Sequence, residues 1–301
     1  MLLSARGAKR KRRVPASNGE ISKMTGEIDG RKSAPETCDV FVLGGGPAGS
    51  TAAALLAQRG RDMIVEKQRH PRFHIGESLL PLNLPLFEKF GLEDKIAAIG
   101  IIKHGAELTS PQHAAPVTLD FGDAWDRSHA YAYQVRRSQF DQILFDNCAE
   151  KGARAYQEHR VSRVEIHPDG VRVTARDETG APREWQSKFF IDASGRDTFL
   201  ANRFGIKRRN RKHNTAALFG HFAGARRLPG PAEGNISIFW FEHGWFWFIP
   251  LRDGITSVGA VCDPHCMKSR RTDPASFPRD TIALCPALAE RLRDAPAEAR
   301  A

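Results

Sequence analysis

No run of apolar residues in the 301-residue sequence is long enough to cross a bilayer, which sets aside a helical membrane protein. The N-terminus offers only Met1-Leu2-Leu3 before a basic stretch, so the apolar core of a secretory signal is missing too. Cysteine is sparse: Cys38, Cys148, Cys262, Cys266 and Cys285 form an odd, scattered set of five. That excludes a disulfide scaffold and fits a reduced, cytoplasmic protein. Cys262, His265 and Cys266 lie close together, but no second ligand pair follows, and they read as incidental rather than as a metal site.

What is present is ordinary for a globular chain: 41% hydrophobic and 27% charged residues, in a length suited to one large domain or two small ones. The net charge of +10 comes partly from Lys9-Arg10-Lys11-Arg12-Arg13 in a polar, disordered leader over residues 1–36. Such a run serves as a nucleic-acid arm or localisation signal in some proteins and as a solvated tail in more; Met24 is a plausible start just before the fold. The plain reading is preferred, and neither nucleic acid nor membrane is expected as a partner.

The organising stretch is Asp39–Glu66. Asp39 to Leu43 is a short apolar run suited to a buried strand. Gly44, Gly46 and Gly49 follow at G-x-G-x-x-G spacing: the first permits the sharp turn, the second lets a pyrophosphate approach the backbone, and the third lets helix and strand pack closely. Pro47 and Ala48 open an Ala/Leu-rich helix that Gly60 ends, and Met63-Ile64-Val65 is the next strand. Glu66 stands 22 residues after Gly44, where an acid can grip ribose hydroxyls. A carboxylate there repels a 2′-phosphate, so FAD or NAD is favoured over NADP.

Further along, Gly76-Glu77-Ser78 precedes an amphipathic helix running to about Gly91, and Ser78 is placed to cap it. Lys103 lies in an apolar stretch before a strand from Ala106 to Thr109. A surface lysine is the commoner fate; the functional alternative is a buried amine of lowered pKa. Arg137 stands just before a helix through Lys151 that carries Phe140, Ile143, Leu144 and Cys148 near one face. Arg137 can reach a cofactor or be merely solvated. Val161–Ile166 and Val171–Ala175 read as a β-hairpin or meander, and the strand Phe189–Asp192 ends in a small-residue turn. From Ala216 the pattern becomes β-rich and aromatic. Trp245, Trp247 and Ile249 share one face of a strand closed by Pro250, either as plain core or as the wall of a pocket for a flat ligand.

Taken together, GGGPAG with Glu66, YQVRRSQFD at Tyr133–Asp141 and DASGR at Asp192–Arg196 resemble the flavoprotein monooxygenase superfamily. HIGESLLP at His74–Pro81 resembles its flavin-dependent halogenases, and GWFWFIP at Gly244–Pro250 is similar to their W-x-W-x-I-P motif. The resemblance spans roughly Thr37–Cys262. It implies an α/β fold: a Rossmann-like FAD-binding domain of the glutathione-reductase or hydroxybenzoate-hydroxylase type (37–105 and 134–205), a mixed β-sheet substrate module (106–133 and 206–265) and a helical tail (266–301). It further implies reduced FAD from a separate flavin reductase, O₂, chloride or bromide, and an electron-rich phenol, pyrrole or indole, free or tethered to a carrier protein. Lys103 resembles the lysine that delivers or activates the halogen, with Glu77 as a second catalytic residue. Gly44, Gly46, Pro47, Ala48, Gly49, Glu66, Arg137 and Asp192 resemble the cofactor-binding set, and Trp245 and Trp247 the pair that keeps substrate from the flavin.

The pattern departs from the family in one place. The late G-D turn beside the flavin is absent after Trp247, where Asp253-Gly254 has the reverse order, so the chain reads as C-terminally truncated. Two alternatives share the same glycine and DASG motifs: a monooxygenase or geranylgeranyl-reductase-like oxidoreductase, and a non-catalytic remnant.

Overall fold

The computed structural model describes residues 35–60, 62–208, 210, 215–263 and 277–295. The basic run at residues 9–13, Met24, His265 and Cys266 lie outside these. In chain order the elements are β1 (Glu36–Leu43), α1 (Pro47–Ala57), β2 (Asp62–Val65), α2 (Leu84–Phe90), α3 (Glu93–Ile99), β3 (Ile101–Lys103), β4 (Gly105–Thr109), β5 (Val117–Asp120), β6 (Ala132–Gln134) and α4 (Arg137–Glu150). There follow β7 (Arg154–Tyr156), β8 (Arg160–His167), β9 (Gly170–Arg176), β10 (Pro182–Asp192), α5 (Phe199–Arg203), β11 (Ala216–Ala223), β12 (Ile236–Phe241), β13 (Gly244–Pro250), β14 (Ile255–Cys262) and two short helices, Phe277–Ala283 and Pro286–Arg291. No helix among the described residues is long and apolar enough to cross a membrane.

One six-stranded sheet has the order β7-β2-β1-β10-β9-β8. β7, β2, β1 and β10 are parallel, and the β8–β9 hairpin joins β10 antiparallel. Alternation along β1 sends Val42 to one face and Phe41 to the other. Val42, Ile64, Ala53, Ala54, Leu144 and Phe145 form a core under α1 and α4. Phe41, Met63 and Trp185 pack on the other side with Val164 and Val173 of the hairpin. This is the doubly covered, mostly parallel arrangement expected of a Rossmann-like α/β unit.

The second six-stranded sheet has the order β11-β14-β13-β12-β4-β5 and is antiparallel except for the β4–β12 pair. Its two faces do different work. Phe222, Phe239, Phe246, Phe248 and Val258 form a closed core with Leu288 and Leu292. Arg291 fastens the helix Pro286–Arg291 there, donating to Glu107 Oε2 at 2.7 Å and to Ser237 Oγ at 2.9 Å. The other face carries Trp245, Trp247, Ile249 and Phe219, and Ile75 from the segment after β2 packs onto it.

β3 and β6 pair separately, and Ser78 bridges to Gln134 as a short third strand. This corrects the expectation that Ser78 caps a helix. Leu79 N donates to Tyr133 O and Val135 N to Glu77 O, which holds residues 77–79 extended. The helical turn starts only at Pro81, with Asn83 Oδ1 accepting the Leu80 amide at 3.0 Å.

Candidate active site

The glycine turn shows why each glycine stands where it does. Gly44 has φ +106°, and a Cβ there would lie 2.4 Å from Ala193 O; at Gly49 it would lie 1.8 Å from Gly44 O. Both positions are closed by packing of strand against helix. Gly46 differs: the nearest atom to a Cβ there is Arg72 Nη2 at 3.6 Å, so the space before its backbone is open. Pro47 and Ala48 begin α1, whose first-turn amides face that space. The middle glycine alone thus offers the approach a pyrophosphate needs, and the cradle fits an FAD or NAD diphosphate.

A buried ion network floors this turn. Glu66 Oε2 accepts the Gly45 amide at 2.7 Å and Arg72 Nη2 at 3.4 Å, while Oε1 accepts the Gln68 amide at 3.0 Å. Four lone pairs against three donors leave acceptor capacity on Oε1, as a ribose hydroxyl requires. Asp141, with no exposed surface, takes Arg137 in a bidentate pair at 2.8 and 3.0 Å. Arg72 Nη1 lies 3.3 Å from Asp141 Oδ2. Its side chain is only 8% exposed, yet Nε and Nη1 have no hydrogen-bond partner. Nη2 stands beside Gly46 and the same guanidinium has hydrogen-bonding capacity left on Nε and Nη1, so Arg72 is the donor an arriving diphosphate would use. Arg137 Nη1 also donates to Ile75 O at 2.9 Å, and Arg137 lines a cavity of ≈120 Å³ with Pro47, Thr51 and Gly76. Burial and the nearby arginines lower the pKa of His74. Asp192 is engaged differently: its carboxylate accepts the amides of Ser194 and Leu200 at 3.0 and 2.8 Å, shaping the turn.

Lys103 is 2% exposed. Its Nζ donates to Ser78 Oγ at 2.6 Å and lies 5.4 Å from the centre of the Phe121 ring. Burial lowers its pKa to about 8. Glu77, 3% exposed, accepts the Gly76 amide at 3.0 Å and makes no ion pair with Lys103 within 4 Å. Consecutive residues of an extended segment diverge, so Ser78 meets the amine while Glu77 turns elsewhere. Without an adjacent carboxylate, nothing offsets the desolvation that weakens the ammonium. At pH 7 about a tenth of such amines are neutral, and about half at pH 8.

Trp245 and Trp247 lie with ring centres 6.3 Å apart, and Phe219 stands 6.5 Å from Trp247. Trp247 is 8% exposed, and its Nε1 donates to Ser257 Oγ at 3.2 Å. Gly259 is what lets this indole lie across the neighbouring strand, since a Cβ there would be 2.2 Å from its ring. Phe73 extends the aromatic row, stacking on Phe219 at 5.7 Å.

The structure therefore gathers Gly44, Gly46, Pro47, Gly49, Glu66 and Arg137 around one turn, and sets Glu77 and Lys103 on and beside the segment that leads from it to the indole face. Arg72, legible in sequence only as the end of the polar turn Lys67–Arg72, and His221, which the sequence does not single out, belong to the same region. His221 Nε2 lies 3.7 Å from Glu77 Oε1. Arg72 had one signal, a cation close after Glu66 in KQRHPR; His221 had none.

Comparison with known proteins agrees with this geometry. The family described as FAD binding domain matches residues 37–295. A flavin-dependent halogenase of Armillaria mellea, armH4, is 35% identical over 79% of this chain and 48% of its own. The myxobacterial chondrochloren halogenase CndH superposes with a TM-score of 0.81 at 35% identity, covering 87% of this chain and 61% of that one. A flavoprotein/dehydrogenase from Cytophaga hutchinsonii does so with 0.79 at 32% identity, over 87% and 64%. The chain spans about half the length of the curated relatives it matches. From the matched span and the glycine turn that carries it, this chain belongs to the FAD-binding domain family and is similar to its flavin-dependent halogenases.

Proposed function

We propose that the chain carries the FAD-binding and halogen-transfer machinery of a flavin-dependent halogenase acting on an electron-rich aromatic compound. The observation that carries this is a buried Lys103 of lowered pKa, held by Ser78, in a fold with a paired-indole face. Residues 37–105 and 134–205 serve as the FAD-binding part, and 106–133 with 206–265 as the substrate part. When bound, reduced FAD would supply part of the electrons that reduce O₂, chloride or bromide supplying the rest as it is oxidised to hypohalous acid. Arg72 and Arg137 hold the diphosphate at Gly46, and Glu66 takes a ribose hydroxyl. Trp245 and Trp247 wall the substrate off from the flavin side. The Lys103 ammonium donates a hydrogen bond to hypohalous oxygen, polarising the halogen toward the ring and protonating the departing oxygen. A separate flavin reductase supplies the reduced cofactor.

The test is reconstitution of the purified chain with photoreduced FAD, O₂, chloride or bromide and a panel of phenols, pyrroles and indoles, with products read by mass spectrometry. Halogenated product that disappears in Lys103→Ala is expected. No product, or equal product from the variant, overturns the proposal. The likeness to the Cytophaga flavoprotein/dehydrogenase favours a second reading, an oxidoreductase that needs no halide. Halide-independent oxygenation or NAD(P)H-driven reduction of a substrate identifies it.

A further inference from the structure

His221 belongs to no motif, and the function proposed above does not use it. It lies on β11 between Phe219 and Ala223, which both pack on the indole face, so alternation puts its ring on that face as well. The ring has two ends in different surroundings. Nε2 is buried, has no hydrogen-bond partner and lies 3.7 Å from Glu77 Oε1. The side chain as a whole is 19% exposed, so the imidazole also reaches solvent. Phe73 packs edge-on at 6.1 Å. β14 sets Ser257 opposite His221 in register, a neutral group, and Glu77 is the one acidic partner within 4 Å among the described residues.

A buried carboxylate whose only described hydrogen bond is the Gly76 amide gains from a cation nearby. At 3.7 Å the two groups stand just outside hydrogen-bonding range, and an approach of about 1 Å joins them. Imidazole can take a proton on one nitrogen and release one from the other. We infer that Glu77 and His221 form a proton-transfer pair connecting the indole face to solvent, with His221 a positioning residue for the Glu77 carboxylate.

The inference rests on the halogenase reading and completes its proton balance. Hypohalous acid and an arene give the haloarene and water. The ring's π electrons form the carbon–halogen bond, and the halogen–oxygen bond breaks. The departing oxygen takes a proton from the Lys103 ammonium. The ring proton passes to the Glu77 carboxylate, then to His221 Nε2, and the imidazole releases a proton to solvent; Lys103 is reprotonated from solvent. Hypohalous acid is the oxidant throughout.

Two measurements test this. In histidine-labelled protein, the imidazole NMR signals of His221, assigned by their loss in His221→Gln, are compared with and without Glu77→Gln at one pH. Removing the carboxylate that faces Nε2 is expected to move those signals while the other histidines keep theirs. Separately, His221→Gln and His221→Ala are assayed with photoreduced FAD, O₂ and bromide against a diffusible hypobromite trap and an electron-rich phenol. Bromination of the trap is expected to stay within about twofold of wild type while phenol bromination falls about a hundredfold in kcat at similar KM, and added imidazole restores part of it in His221→Ala. Unmoved His221 signals overturn the pair whatever the activity. Trap and phenol falling together overturns the relay. A wild-type chain that brominates neither overturns the halogenase reading and the relay with it, and the NMR comparison still reports whether the pair exists.

Discussion

Replacing Lys103 by methionine should make the protein more stable at neutral pH. The amine is buried, and its pKa falls from 10.5 to about 8, which corresponds to a cost of about 3 kcal/mol for keeping the ammonium inside. Methionine fills a similar volume without charge and forfeits the bond to Ser78 Oγ, worth about 1 kcal/mol. The variant is then ahead by about 2 kcal/mol below pH 8. The sign of the pH dependence follows from the direction of the shift. Between about pH 8 and 10.5 the unfolded lysine still holds its proton while the native one has lost it, so wild-type stability climbs with pH across that window. Above it the advantage of methionine is gone and the lost hydrogen bond leaves the variant slightly behind. Urea unfolding of both proteins from pH 7 to 11 isolates this as a difference, because every other titrating group is common to the two. A stability difference that does not change with pH, or one that widens in favour of methionine as pH rises, refutes a buried and weakened ammonium. On the proposed reading the same variant also loses halogenation, so stability and chemistry pull in opposite directions at one side chain.

Gly46→Ala should fold with near-normal thermal stability, since nothing lies closer than 3.6 Å to the new methyl, but bind FAD at least about tenfold more weakly; Gly49→Ala, with 1.8 Å to a carbonyl, should fail to fold or lose several kcal/mol. Arg72→Gln should raise the FAD dissociation constant, read by flavin fluorescence, by about tenfold or more, because it removes the buried guanidinium whose Nη2 stands beside Gly46. Gly259→Ala should displace the Trp247 indole, costing about 1–3 kcal/mol and shifting tryptophan emission. Unchanged emission and stability would show that the indole does not lie across β14.

Local rules made much of this arrangement legible. The apolar run, glycine spacing and acid at Glu66 announced β1, α1 and β2 because each step depends on neighbours in sequence. Trp245 and Trp247 share a face for the same reason, strand alternation. Lys103 stood out as a charge in an apolar stretch, and its burial follows from the short strand that carries it. What was hidden depends on distant partners. Arg72 reads as part of a polar turn until Asp141 comes beside it, and His221 is featureless until Glu77 does. Ser78 has the composition of a helix cap, but pairing with β6 and the ring of Pro81 defer the helix and free its hydroxyl for Lys103. The placement of β10 beside β1, across a long intervening stretch, is likewise a matter of tertiary pairing rather than of pattern.

One carboxamide has reach beyond its size. Asn235 Oδ1 accepts the amides of both His104 and Gly105, at 2.7 and 2.9 Å, and so buttons the hinge after Lys103 to the chain just ahead of β12. The aromatic strands and the amine are thereby yoked together. Anyone reshaping β12 would drag the lysine out of place unless that fastening were kept, and a slip of a single residue there would carry its nitrogen along.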